Sequence, residues 1–407
     1  MVKSGSATRP GGTGRRRWSI GPAFVTAALV FGPGSITLAS SIGAGYGYAL
    51  LWVLVVAAVF MLSYTGMAVR LGIGDSRSPL EVIRARLTPW LAVLVGVGCF
   101  LVTAAFQAGN SVGAGAATAI LVGGNVQVTA ALFTALGIAF VWLPSFYRHL
   151  ERVMVVLVVA MFVLFAATAV VSRPSLGGIA SGLVPSVPSG SALLVVALMG
   201  TSFSVVGAFY QAYLVQEKGW RPEQRGSAMR DTALGIALLG GLTAVIVIGA
   251  AAVLRPQEVA VTSAGDMAAI LEPTIGPWAR TLFALGLWAA AFSSLVGNAT
   301  IGGCMLADAL GLGRSLSAPV VKLFISGVMF LGGAVAVAFA ANPVQLIITA
   351  QAATVLVVPM VGAVLLYLAA DRRLLGALAN RWWQNVLGAV GLLALLLLAW
   401  SYVVQLS

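Results

Sequence analysis

The residues best suited to hold a ligand are neutral and fall in two short stretches. The first, FGPGS at 31–35, sets Gly32, Pro33 and Gly34 in the middle of an apolar run and ends on Ser35. The second, MGTSFSVVGAFYQ at 199–211, carries Thr201, Ser202 and Ser204 between Gly200 and Gly207. Both runs interrupt a helical pattern, since Gly and Pro disfavour a helix interior by ~1 and ~3 kcal/mol relative to Ala. An interrupted helix frees carbonyls at the end of one half and N–H groups at the start of the next. The carbonyl end attracts cations and the N–H end attracts anions. The side chains that decide between them are hydroxyls and amides: Ser35, Thr37, Thr201 and Ser204, with Asn298 and Gln351 further along. This is binding chemistry. No nucleophile–base pair, metal-ligating cluster or phosphate loop accompanies it, so the pattern predicts neither an enzyme nor a cofactor.

Carboxylates are missing from the places where a buried site would use them. Asp75, Glu81, Glu151, Glu217, Glu223, Asp231 and Asp371 fall in one set of loops or at span ends. Glu258, Asp266 and Glu272 precede the eighth apolar run, and Asp308 ends it. The single histidine, His149, reads as a loop residue between the fourth and fifth runs. Intramembrane proton relays are built from Asp, Glu and His, and none is visible here. Burying a bare ion without a counter-charge costs about 20 kcal/mol per unit charge in the idealised limit. A cation that keeps part of its water shell, as magnesium does, or a zwitterion, costs less.

What must position these residues is a set of membrane helices. The chain has 407 residues, 60% hydrophobic and 8% charged, against about a quarter charged in a soluble protein. A bilayer crossing needs ~20 apolar residues, and eleven candidate spans emerge: 20–45, 48–71, 90–122, 127–144, 153–172, 190–216, 232–254, 277–305, 318–341, 344–370 and 383–405. The alternating segments of a barrel are absent. All but Arg173, Arg255 and Arg280 of the 23 Lys and Arg fall on one side, which predicts an inside N-terminus and an outside C-terminus. The net charge of +12 is thereby a membrane signature and not a nucleic-acid one. The lipid bilayer is the expected partner, and nothing in the pattern specifies an oligomeric state.

The two interruptions sit in spans 1 and 6, the first members of two consecutive five-helix sets. An odd number of helices inverts the second set relative to the first. Broken helices at matching positions of inverted repeats mark a transporter's midplane site. A Gly-Pro-Gly run by itself also fits a plain kink. The expected organisation is a basic inner tail (1–19), a first repeat (20–172), an outer loop (173–189), a second repeat (190–370), and an inner loop with an eleventh span (371–407). GAGYG at 43–47 reads as the connection between spans 1 and 2.

Five stretches carry a family resemblance: GPAFVTAALVFGPGSITLASSIGAGYGYALLWVLVVAAVF (21–60), YRHLERVMVVL (147–157), GLVPSVPSGSALLVVALMGTSFS (182–204), ARTLFALGLWAAAFSSLVGNATIGGCMLADALGLG (279–313) and NPVQLIITAQAATVLVVPMVGAVLLYLAADRRLLG (342–376). In order and over nearly the whole chain, they resemble the Nramp divalent-metal transporters. The resemblance implies an all-α membrane fold, the five-plus-five inverted repeat of the LeuT/APC type, with helices 1 and 6 broken at the midplane and one added helix. It also implies departures at the chemistry. The family's Asp-Pro-Gly-Asn aligns with Gly32, Pro33, Gly34 and Ser35, and its Ala-x-x-Met-Pro-His with Thr201 to Val206. The soft methionine ligand is thus Ser204 and the proton-linked histidine Val206. A second span-6 histidine aligns with Gln211, and the family's span-3 acids align with about Ser111 and Ala114. The span-10 glutamine is kept as Gln351.

The expectation that follows is a carrier working by alternating access on a hard or partly hydrated divalent cation such as Mg2+ or Mn2+, without the family's proton coupling. Its ligands are expected among Ser35, Thr201, Ser204 and Gln351, with Gly32, Gly34 and Asn298 lining the site. Two other readings stay open: a carrier of a small neutral or zwitterionic solute, and a membrane protein that has lost transport.

Overall fold

The computed structural model describes residues 31–339 and 341–406, and for 144–153 and 406 the backbone alone. The basic tail and the opening of the first expected span, 20–30, lie outside the described residues, as does the side chain of His149. The described chain is helical, with no strand among the described residues. Its main helices are α1 Pro33–Tyr46, α2 Leu51–Gly74, α3 Pro79–Arg86, α4 Pro89–Val122, α5 Val126–Trp142, α6 Pro144–Val171, α7 Leu176–Gly182, α8 Ala192–Ser202, α9 Val205–Glu217, α10 Arg225–Val253, α11 Ala279–Ala309, α12 Pro319–Phe339, α13 Pro343–Ala353, α14 Val358–Ala370 and α15 Trp382–Leu406.

Among the described residues, eight helical stretches are long and apolar enough to cross a bilayer, or nine if the bent pair α13–α14 counts as one. This is fewer than the eleven expected, for two reasons. Span 1 contributes only the 14 residues of α1, and α5 has only 17. The 4–5 connection is also shorter than expected: Pro144 opens α6, so residue 149 lies on a helix and not in a loop. Likewise most of GAGYG belongs to α1. The helix runs to Tyr46 and is closed by Gly47 at φ +61°, a left-handed terminus that suits glycine.

Burial runs from centre to rim. Some 72% of the apolar window of α8–α9 is buried, against 22% in α15. Large apolar side chains such as Val156, Val170, Leu323, Phe330, Leu397 and Trp400 are exposed, while Gln107, Asn110, Ser111, Gln211 and Gln351 are buried. A hydrocarbon solvent selects that arrangement, because polar groups in lipid must find partners inside the bundle. Small residues bring the central helices together. A Cβ at Gly43 would lie 2.4 Å from the Val247 carbonyl oxygen, and one at Gly72 would lie 2.5 Å from that of Ala212. α1 therefore lies on α10, and α2 on α9, with backbones nearly touching.

At one end of the bundle a polar network ties the loops to α9 and α11. Ser78 and Glu81 form a capping box that starts α3. Arg84 of α3 donates to the Asp308 and Ala309 carbonyls at 2.8 and 2.7 Å, closing the end of α11. Tyr213 of α9 donates to the Asp308 carboxylate at 2.6 Å. The Gln216 amide donates to the Asp75 and Arg77 carbonyls, and Arg314 donates to the Gln216 side-chain oxygen. In the α2–α3 loop, the hydrogen bond from Arg77 holds the Asp75 carboxyl below its ordinary range.

Candidate functional site

The start of α1 is pinned by α11 and α4. Gly32 is its N-cap with extended backbone (φ −141°, ψ −165°), and Pro33 fills the first turn, where its missing N–H is no loss. The Phe31 carbonyl accepts a hydrogen bond from Ser294 Oγ of α11 at 2.9 Å. A side chain at Gly32 would strike that same serine at 2.8 Å and Asn110 of α4 at 3.0 Å. Pro33 sits on Gly113 of α4, where a Cβ would come within 2.5 Å of the ring.

The second interruption falls at Phe203 and Ser204, whose ψ angles of 63° and 84° are not helical. Gly200 and Gly207 do not make it. Both lie inside helices, Gly200 in α8 and Gly207 in α9. The break centres on an aromatic anchor. Phe203 is fully buried, with ring centroids 5.5 Å from Phe60 and 5.0 Å from Tyr64. Tyr64 is itself tied to the Gly388 carbonyl at 2.9 Å. Gly200 serves a different purpose: a Cβ there would meet the Gln351 carbonyl oxygen at 2.8 Å and Thr354 Oγ1 at 2.9 Å.

A third interruption was not among the expectations. Span 10 bends by 43° between α13 and α14, across a turn at Thr354–Leu356. Thr354 Oγ1 donates to the Gln351 carbonyl at 2.7 Å, satisfying one of the open carbonyls at the end of α13. Pro359 in the first turn of α14 was the readable signal.

These three interruptions meet. Ser35 Oγ lies 3.4 Å from Thr201 Oγ1. A Cβ on Gly34 would fall 2.1 Å from Gln351 Nε2, so the Gln351 amide nitrogen lies against the α1 backbone at Gly34. Gln351 Oε1 is buried and has no hydrogen-bond partner among the described residues. Ser35, Thr201, Gly34, Gly200 and Gln351 therefore form one cluster. Ser204 is buried and caps α9, with its carbonyl accepting from Ala208 N at 2.8 Å. Asn298 is buried on α11, one turn beyond Ser294, and the structure records no hydrogen bond between it and Ser35, Thr201 or Gln351. Ser294 is the α11 residue that reaches the break, and sequence reasoning passed over it. Gln107 and Asn110 serve helix packing: Gln107 donates to the Leu295 carbonyl at 2.9 Å and accepts from Asn110 at 3.3 Å.

The cluster is electrically a meeting of helix ends. α8 and α13 bring carbonyl ends, each equivalent to about −0.5 charge, while α1 and α9 bring N–H ends of about +0.5. Asp308 is 14 residues along α11 from Ser294, about 21 Å at 1.5 Å per residue. Among the described residues no group of three or more His, Cys, Asp or Glu is placed to hold a metal ion.

The Nramp family model (natural resistance-associated macrophage protein-like) matches residues 23–405. The chain belongs to the Nramp family. It is 26% identical over 386 residues to the divalent metal cation transporter MntH of Deinococcus radiodurans, covering 91% of this chain and 86% of that one. It is 25% identical over 380 residues to MntH of Klebsiella pneumoniae, covering 91% and 90%. Among solved structures, the Eremococcus coleocola manganese transporter superposes with a TM-score of 0.76 at 19% identity, covering 93% of this chain and 84% of that one. Mhp1, a nucleobase-cation-symport-1 family transporter, superposes at 0.59 and 16% identity, covering 94% and 91%. This Nramp chain is thus an all-helical integral membrane protein of the LeuT-like fold, a transporter-family member and not an enzyme.

Proposed function

We propose that this Nramp chain moves a divalent metal cation across the plasma membrane by alternating access, taking a hard or partly hydrated ion such as Mn2+ or Mg2+. The single observation that supports the reading is the junction of α1, α8 and α13, where Ser35 and Thr201 stand 3.4 Å apart beside Gln351 Oε1, which has no hydrogen-bond partner among the described residues. Hydroxyl, carbonyl and amide oxygens suit hard cations. In this reading Ser35, Thr201, Ser204 and Gln351 are the ligands, and the cation enters against the carbonyl ends of α8 and α13. Eleven spans, the paired inverted repeats (20–172 and 190–370), the added span within 371–407 and an inside N-terminus complete the proposal. The metal-binding aspartate and asparagine, the methionine and the proton-linked histidine of the family are read here as replaced by Gly32, Ser35, Ser204 and Val206. Transport is accordingly uncoupled from protons.

The test is uptake of Mn2+ and Mg2+ into proteoliposomes with a pH dye inside. Uptake without luminal acidification is expected. No uptake of either ion refutes the reading, and a stoichiometric proton flux refutes its uncoupled form.

A second reading has an observation of its own. The first-turn N–H groups of Gly34 and Ser35 have no place in the α1 ladder, and Gly34 lies beside Gln351, an arrangement that also suits a carboxylate. Thermal-shift screening with amino acids against divalent metals separates the two, since each ligand stabilises only the protein that binds it.

A further inference from the structure

We propose that the groove between α4, α12 and α13 retains one phospholipid tail, with the lipid's glycerol-ester end against Asn342, Gln345 and Thr349. The groove encloses about 580 Å³, the size of a ligand site. Its floor is made of small residues: Ala104 and Ala108 of α4 and Ala350 of α13 line it and are buried. Its rim is large and apolar, with Leu101, Leu331 and Phe339 exposed. Asn342 stands at the turn between α12 and α13, where the chain reaches the membrane surface. From there to Ala353 at the other end is about 16 Å along the helix, at 1.5 Å per residue. Half of a ~30 Å hydrocarbon core is ~15 Å. The groove is thus as long as one leaflet is deep.

The lining is graded in polarity along that length. Asn342, Gln345 and Thr349 stand three and four apart on one face of α13, and the Gln345 amide donates to Thr349 Oγ1 at 3.4 Å. They occupy the first ~10 Å below the surface turn. The deepest third, at Leu101, Leu331 and Ala353, is apolar. Polar side chains in a spanning segment ordinarily face the bundle interior. These line a groove that opens on the lipid-facing surface, and Asn342 and Gln345 are exposed. A hydrocarbon tail that ends in ester oxygens matches both parts. A helix from a second copy does not fit. The volume of 580 Å³ spread over ~16 Å is a section of about 35 Å², against about 80 Å² for a helix ~10 Å across. None of the described residues lining the groove is charged, so the tail and esters are recognised and the headgroup is not. Ala350 and Ala353 flank Gln351, and the tail therefore lies behind the helical turn that meets Gly34. The assignment does not depend on which solute the chain carries.

The test is photo-crosslinking of the full chain by phosphatidylcholine with a diazirine at mid-tail, before and after a detergent wash that strips bulk lipid. Adducts are located by peptide mass spectrometry. After the wash, adducts on 101–108 and 331–339 should persist, while those on the exposed Leu397 and Trp400 of α15 fall at least fivefold. A phosphatidylglycerol probe should give the same retention within twofold. Ala105→Phe places a ring in the groove from a half-buried lining position. It should cut the retained groove adducts at least fivefold and leave the α15 adducts before the wash unchanged. Gln345→Leu alters only an exposed side chain, and should lower retention at least threefold even if Ala105→Phe fails to fold. Groove and α15 adducts that wash out in step overturn the assignment, as does retention unchanged in both variants. A probe that never reaches the groove in protein running as a dimer overturns it in favour of a second copy. Retention of phosphatidylglycerol alone overturns the tail-and-ester recognition in favour of a headgroup site.

Discussion

Gly34→Ala tests whether Gln351 is a ligand or a packing residue. The new Cβ would lie 2.1 Å from Gln351 Nε2 and 2.7 Å from its Cδ, so both cannot stay. The yielding partner is the Gln351 amide, the far end of a flexible side chain, and a displaced rotamer costs about 0.5–1.5 kcal/mol. Replacing glycine by alanine in a helix returns up to ~1 kcal/mol. The two nearly cancel, and the melting temperature should move by no more than a few degrees. Binding should respond far more. Removing a hydrogen bond to a charged group costs ~1.5–3 kcal/mol, which is roughly a 10- to 150-fold loss of affinity. The assay is Mn2+ binding by calorimetry, paired with thermal unfolding, for Gly34→Ala, Gln351→Ala and the double variant. If Gly34→Ala acts by displacing Gln351, it has little further effect in the Gln351→Ala background. Full additivity of the two losses, or wild-type affinity in Gly34→Ala, refutes the reasoning. A collapse of the melting temperature shows instead that Gln351 is held rigidly as core.

Three further outcomes are expected. Gly200→Ala should be the more disruptive glycine change, because its Cβ meets a backbone carbonyl at 2.8 Å that cannot rotate away. Overpacking of this kind costs ~1–3 kcal/mol, visible as a lowered melting temperature together with lost uptake. Tyr213→Phe removes the donor 2.6 Å from the buried Asp308 carboxylate. It should destabilise by ~1.5–3 kcal/mol, read by thermal unfolding, while Mn2+ affinity changes less than twofold. Selectivity should be shallow: without a thioether or thiolate the site has no soft ligand, so Mg2+ should compete with Mn2+ uptake at concentrations within about tenfold of Mn2+, and a strong preference for Cd2+ would contradict the ligand set.

The fold was legible because a bilayer writes it into hydropathy. Runs such as 90–122 and 383–405 match α4 and α15 within a residue or so, since backbone groups in lipid have few alternatives to a helix. The interruptions were legible only in part. GPG announces the start of α1 because Pro33 suits the first turn. The break in span 6 was misplaced onto Gly200 and Gly207 because it rests on long-range packing of Phe203 against Phe60 and Tyr64, which no local pattern encodes. The same holds for Ser294, an unremarkable serine until Phe31 is brought 2.9 Å from it. The bend at Gln351 was written in Thr354 and Pro359, but the long apolar run around them hid it.

On the proposed function, a pocket without a carboxylate constrains how a divalent ion is held. One carboxylate 4 Å from a dication contributes about 8 kcal/mol at an effective dielectric of 20. The carbonyl end of a helix contributes ~2 kcal/mol at best in a buried setting. Two such ends, at α8 and α13, therefore fall several kcal/mol short of one acid side chain, and the N–H ends of α1 and α9 subtract from them. The deficit closes only if less hydration is surrendered, because stripping the shell is the dominant cost of burying the ion. The neutral oxygens of Ser35, Thr201 and Gln351 can accept from retained water or bind the ion itself, and a protonated amine or thiol could not do both.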